Sequence, residues 1–150
     1  MRQIMWAVIL MGWFVASTGL AAHPLPSGEF AGTGTWKSPD GSSREYDVST
    51  RIEGATLTST YEYVMEGSRR NESATIELVA KDSVVLEVRN DKGEVIGKGF
   101  YLEAECSYRA EFDGIAVEET IRFDRGVLYK FGSKCGPGFQ VIWRETLKAQ

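Results

Sequence analysis

The feature that most constrains the fold is an alternation of apolar and polar residues, with a period of two, from Phe30 almost to the C-terminus. Successive side chains of a β-strand point to opposite faces, so this period predicts strands with one buried face. Turn residues separate the runs, and Asp113-Gly114 is a strong signal for a two-residue hairpin. No Pro lies between Pro39 and Pro137 to interrupt a hydrogen-bonded ladder. We therefore expect about ten strands and almost no helix.

Strands joined by such short turns pair with their sequence neighbours and form an antiparallel meander. An open meander without covering helices would leave two exposed edges, and closure into a barrel removes both edges. We expect an all-β fold, an antiparallel up-and-down barrel of about 8-10 strands, in a single domain from 29 to 150. A two-layer β-sandwich is the alternative.

Gly34-Thr35-Trp36, near the start of the domain, resembles the G-x-W element that opens lipocalin barrels. The chain thus resembles the calycin superfamily, and the resemblance implies a lipocalin-like barrel in which Arg144 of the last strand packs against Trp36. The same element followed by Leu57–Glu62 resembles, more weakly, the first strands of avidin-like barrels. In those barrels an Asn after the Trp helps to hold biotin, and Lys37 occupies that place here.

The N-terminal segment has the features of a secretory signal peptide. Arg2 precedes an uncharged run whose apolar part, 4–15, has the length of a signal-peptide h-region, and small residues end the run at Ala22. We expect a signal peptide over 1–22, a linker over 23–28, and export to the periplasm or the extracellular medium. An uncleaved N-terminal anchor is the alternative; after cleavage no stable membrane span is expected.

Charge and histidine content exclude several functions. The 17 Lys and Arg residues are scattered among 21 Asp and Glu residues, which argues against a nucleic-acid partner. A single His removes most metal sites and Ser-His-Asp chemistry, and we expect no metal and no cofactor. The two cysteines, Cys106 and Cys135, are expected to form a disulfide in an exported protein.

The inward face of a barrel this size decides whether it holds a packed core or a cavity. If the larger apolar residues point inward, several hydroxyls and one carboxylate point inward with them, which suits a pocket of mixed polarity. The predicted ligand-binding residues are Tyr61, Tyr63, Tyr108, Glu119 and Tyr129. Alternatively, each Tyr caps a packed core with its hydroxyl at the rim.

Glu119 is the most informative residue, because a carboxylate among apolar side chains is costly unless it is paired or protonated. It is expected either to anchor a basic or hydroxylated ligand or to be neutralised by Arg109, Arg122 or Lys130, unless a bulge turns it to solvent. Glu145 is in phase with Trp143, which raises a two-carboxylate hydrolase as a further hypothesis.

The preferred function is an exported, lipocalin-like protein that binds a small apolar or amphipathic molecule without catalysis. The alternative is a barrel with a solid core that meets a protein or envelope partner through loops at Glu66–Ser73 and Gly132–Gly138. The first hypothesis requires an internal cavity, whereas the second requires a filled interior.

Overall fold

A computed structural model describes residues 25–150 as one closed antiparallel barrel. The predicted signal peptide over 1–22 and the start of the linker lie outside the described residues. Leu25, within the segment expected as linker, is buried in the hydrophobic core. No helix in the described part of the chain has the length and apolar character needed to cross a membrane.

Ten strands form the barrel, and each pairs with its sequence neighbours, while β1 also pairs with β10 and closes the sheet. The predicted all-β, up-and-down barrel is therefore confirmed, and the sandwich alternative is wrong. The strands are β1 (Gly28–Lys37), β2 (Ser43–Glu53), β3 (Thr56–Met65), β4 (Ser68–Ala80), β5 (Val85–Arg89), β6 (Val95–Leu102), β7 (Glu105–Phe112), β8 (Ile115–Asp124), β9 (Val127–Gly136) and β10 (Phe139–Ala149).

The turns divide the barrel into two ends. The turns that follow the odd-numbered strands, including 113–114, surround one end, which we call the mouth. Both residues of the Asp113-Gly114 turn have positive φ, 49° and 78°, as a tight hairpin that matches the strand twist requires. The turns after the even-numbered strands surround the other end, together with Leu25.

This other end, which we call the closed end, is filled by apolar side chains. Phe30 packs edge-to-face on Phe123, with 6.0 Å between ring centroids. Ile121, Leu128 and Leu147 point inward from three adjacent strands and have no exposed surface. The apolar half of the alternation predicted from the sequence is concentrated in this layer.

The two loops expected to meet a partner are mostly strand. The chain reverses within two residues, Glu66 and Gly67, whose φ values of 52° and 76° make a tight hairpin, and β4 begins at Ser68. At the other expected loop β9 continues to Gly136, so only two residues connect it to β10. The polar residues taken as loop signals lie on exposed strand ends near the mouth.

The predicted disulfide does not form. Cys106 is buried on β7, whereas Cys135 is exposed on β9, and both thiols are free. On the intervening strand β8 they face Ile121 and Ala116, which lie five residues apart. That separation is about 16 Å along the strand at ~3.3 Å per residue, beyond the ~7 Å between Cα atoms that a disulfide tolerates.

The two thiols are expected to differ in reactivity. Burial, and then nearby Glu119, raise the pKa of the Cys106 thiol to about 12, so this thiol stays protonated and shielded in the folded protein. A thiol-reactive chromophore is expected to modify Cys135 alone in native protein and both cysteines in denaturant. Protein that shows no reactive thiol in denaturant would instead contain the disulfide.

Candidate functional site

The barrel contains a cavity of about 690 Å³ that opens at the mouth. This volume is typical of a small-molecule site and contradicts the solid-core alternative. Most of its wall is apolar or aromatic. The side chains that line it include Trp36, Arg44, Tyr46, Ser59, Tyr61, Tyr63, Glu72, Tyr108, Phe112, Val117, Glu119, Lys130, Lys134, Phe139, Trp143 and Glu145.

A cluster of three buried charges lies at the inner end of this cavity. The Nζ atom of Lys130 lies 3.5 Å from Oε1 of Glu119 and 3.0 Å from Oε2 of Glu145. Their side chains are at most 7% exposed. We refer to Glu119, Lys130 and Glu145 as the charged cluster.

Strand order brings the cluster together. The three residues lie on β8, β9 and β10, and Lys130 faces Glu145 directly in the β9–β10 register. Each sits one inward position nearer the mouth than a fully buried aliphatic residue of the closed end. The two carboxylates therefore converge although their strands are not neighbours, because the cation that joins them projects from the strand between.

Hydroxyl groups complete the surroundings of the cluster. The Tyr108 hydroxyl donates a short hydrogen bond to Glu119, and the Tyr46 hydroxyl donates one of 2.8 Å to Glu145. Lys130 donates to Ser59 at 3.1 Å and to the Tyr61 hydroxyl at 3.4 Å. Buried charges need such partners to offset the loss of water.

A glycine makes one of these contacts possible. Tyr46, Gly34 and Glu145 face one another in register on β2, β1 and β10. A Cβ atom at Gly34 would lie 2.4 Å from the Tyr46 ring. The Tyr46 side chain thus crosses an intervening strand to reach Glu145 because position 34 has no side chain.

The charge states of the cluster follow from its contacts. Burial alone would lower the pKa of Lys130, but Glu119, Tyr61 and Glu145 around the ammonium raise that pKa well above its ordinary value. Burial, reinforced by Glu119, raises the pKa of the Tyr108 phenol. Lys130 is therefore a fixed cation and Tyr108 a fixed hydrogen-bond donor at neutral pH.

One oxygen of the cluster lacks a hydrogen bond. Oε2 of Glu145 is buried and accepts none from residues 25–150. The Nζ atom of Lys130 lies 3.0 Å from this oxygen, so their contact is an ion pair, and Lys130 is the charged partner that offsets the burial of this oxygen.

At the mouth, an arginine stacks on Trp36, the tryptophan of the G-x-W element, but it is Arg44 and not Arg144. The Arg44 guanidinium lies 5.5 Å from the centroid of Trp36 and 5.9 Å from that of Tyr63. Arg144 is exposed on the outer face of β10, because its neighbours Trp143 and Glu145 take the inward phase. The packing of Arg144 on Trp36 was a wrong prediction.

Four of the five predicted ligand-binding residues line the cavity, namely Tyr61, Tyr63, Tyr108 and Glu119. Tyr129 does not; it is 38% exposed on the outer face of β9. The reason is that Leu128 and Lys130 occupy the inward phase of this strand. Glu119 is paired with Lys130, one of the three cations proposed for it.

Sequence reasoning did not place Tyr46 or Lys130 among the site residues. The two inward-phase carboxylates were the available signal for Lys130, because two buried acids require a cation and β9 lies between their strands. No comparable signal existed for Tyr46, since its role depends on the missing side chain of Gly34.

Solved structures with the same architecture exist, although the sequence matches no protein-family model and no curated protein. An S-type phycobiliprotein lyase, CPES from Guillardia theta, superposes with a TM-score of 0.67 at 11% identity, over 83% of this chain and 88% of that one. Rv2717c from M. tuberculosis gives a TM-score of 0.59 at 19% identity, over 85% and 93%. At these identities the likeness shows a shared fold, which is consistent with a calycin-like barrel.

The expectation that the chain is not an enzyme is overturned by this comparison. It depended on the fold and on the lack of a known catalytic motif, yet a barrel of the same architecture is named a lyase. A calycin-like fold therefore does not identify a non-catalytic protein.

Replacing Lys130 by Met tests the charged cluster. The variant retains two buried carboxylates without their cation, which is expected to cost about 3–5 kcal/mol of unfolding free energy. The folded variant would then hold protons more tightly than its unfolded chain, so its stability should rise as pH falls from about 7 to about 5. Urea unfolding at both pH values measures this change.

The matched control is Lys148→Met, on the exposed face of β10. It is expected to change stability by no more than about 0.5 kcal/mol. In the parent protein the raised pKa of Lys130 keeps its stabilising contribution intact over this range, because that contribution is lost only as pH rises through the folded-state pKa. Equal stability of Lys130→Met and the parent would contradict the cluster.

Proposed function

We propose that the protein binds a small amphipathic molecule inside the barrel, with its polar group at the charged cluster and its apolar part against the aromatic wall. The observation that carries the proposal is the cavity of about 690 Å³, open at the mouth, which ends at the charged cluster. An apolar pocket with few, well-placed polar groups is the usual form of a small-molecule site.

The aromatic wall supports the same function. Trp36 and Trp143 face each other in the register of β1 and β10, and both line the cavity. Phe112 and Phe139 line it nearer the mouth. Rings of this kind bury a large area at low entropic cost, and their exposure to the cavity leaves apolar surface for a ligand to cover.

We also propose that binding takes place after export, in the periplasm or the extracellular medium. The support is the leader-like segment with Arg2, an apolar run over 4–15 and small residues up to Ala22. Mass spectrometry of protein secreted by its own host is expected to give a mature N-terminus close to His23. An intact Met1 on protein recovered from that compartment would contradict cleavage.

A cavity-filling substitution tests the binding site. Val117 lines the cavity, and Val117→Phe places a ring in the space assigned to the ligand. With decanol as the probe, calorimetric titration is expected to show affinity at least about tenfold weaker, a loss of about 1.4 kcal/mol.

Ile142→Phe is the matched control, because Ile142 is 55% exposed on the outer face of β10. This variant is expected to bind decanol like the parent. If decanol, decylamine, decanoic acid and ω-aminodecanoic acid all fail to bind the parent protein, or if both variants bind decanol equally, the cavity is not the binding site.

A further inference from the structure

The charged cluster has an unbalanced charge. Two carboxylates, Glu119 and Glu145, share the single ammonium of Lys130. Lys130 also donates to Ser59 and Tyr61. A cationic group of a ligand at the inner end of the cavity would supply the missing positive charge.

The mouth has the opposite charge. Arg44 and Lys134 both line the cavity there, and neither forms an ion pair with any residue in 25–150. Glu72, the carboxylate on this part of the wall, accepts a hydrogen bond from the Tyr63 hydroxyl. The stacking of Arg44 on Trp36 and Tyr63 holds its guanidinium at the rim with its N–H donors available.

The wall between the two charged regions is aromatic and of defined length. Lys130 and Lys134 lie four residues apart on β9, which is about 13 Å along the strand at ~3.3 Å per residue. Gly132 lies between them, and a Cβ atom there would lie 2.1 Å from the Glu118 backbone oxygen and 2.7 Å from the Trp143 ring. A glycine at this place therefore allows the close approach of β8 and of the Trp143 ring.

We propose that the ligand is amphoteric, with a protonated nitrogen at the charged cluster, an anionic group such as a carboxylate at Arg44 and Lys134, and an apolar middle along the tryptophan wall. This inference rests on the proposed function and specifies the chemistry of its ligand. Single-charged amphiphiles would satisfy only one of the two charged regions.

Four probes with the same ten-carbon chain separate the contributions of the cationic and the anionic group to affinity. They are ω-aminodecanoic acid, decylamine, decanoic acid and decanol. Calorimetric titration of the intact protein is expected to give the highest affinity for the amino acid. Decylamine and decanoic acid are expected to bind about tenfold more weakly, and decanol more weakly again, because each lost charge removes a charge-assisted hydrogen bond.

Two substitutions test which end of the cavity binds the amine and which end binds the carboxylate. Glu145→Gln should remove most of the advantage of decylamine over decanol and leave that of decanoic acid unchanged. Arg44→Gln should do the reverse. Glu118→Gln, an exposed carboxylate beside Glu119 on the outer face of β8, is the matched control and should leave all four affinities unchanged.

The outcomes separate this proposal from the proposed function. Equal affinity for all four probes, abolished by Val117→Phe, would overturn the amphoteric ligand while the binding site stands. Equal weakening of every probe by Glu145→Gln would show a structural role for this residue and would also overturn the proposal. The comparison of the four probes on the parent protein does not depend on any variant folding.

Discussion

The Lys130 ammonium joins three neighbouring strands through Glu119 and Glu145, and much of the barrel interior is arranged around that contact. Burying three charges removes them from water at a cost of several kcal/mol per ion. Mutual attraction and hydroxyl donors offset this cost only in one geometry, which fixes the phase of β8, β9 and β10. Shifting β9 by one residue would place the ammonium outside the barrel and leave two buried carboxylates unpaired.

A buried ion cluster is nevertheless a poor way to gain stability, because well-packed apolar side chains of similar volume often do as well or better. Such apolar packing occurs one inward position farther from the mouth, where Ile121, Leu128 and Leu147 have no exposed surface. On each of the three strands, the next inward position toward the mouth carries a charged residue in place of an aliphatic one. If the cluster faces a ligand, this change of residue type strengthens binding. The aliphatic layer excludes water from the closed-end side of the cluster, and the field of the charges toward the cavity is stronger as a result.

Much of the fold was predictable from the sequence, because strand period and turn residues are local signals. Asp113-Gly114 forms the expected hairpin, and the closure of a meander follows from its edges. The phase of β9 was not predictable in this way. Its outer face carries Tyr129 and Phe131, both substantially exposed, while its inner face carries Lys130, so hydropathy assigns the wrong side to this strand.

The parts of the site that were not predicted depend on contacts between segments that are distant in the sequence. Arg44 and Arg144 are equally suited by type to stack on Trp36, and only the inward phase of each strand decides between them. Likewise, Glu145 belongs to the site because strand order places Lys130 between Glu145 and Glu119. A local pattern gives the face of each side chain, whereas charge pairing across strands requires the register of the closed sheet.

The interior changes in character along the barrel axis. Fully buried aliphatic side chains fill the closed end, the charged cluster forms the next layer on β8, β9 and β10, and the aromatic wall with Arg44 and Lys134 continues to the mouth. Two glycines leave space for neighbouring side chains in this wall: Gly34 lets Tyr46 reach Glu145, and Gly132 leaves room for the Trp143 ring. Phe112 both lines the cavity near the mouth and packs against the hydrophobic core, so the wall is continuous with the core there. Under the proposed function, the charged cluster recognises one end of the ligand, and Arg44 and Lys134 recognise the other.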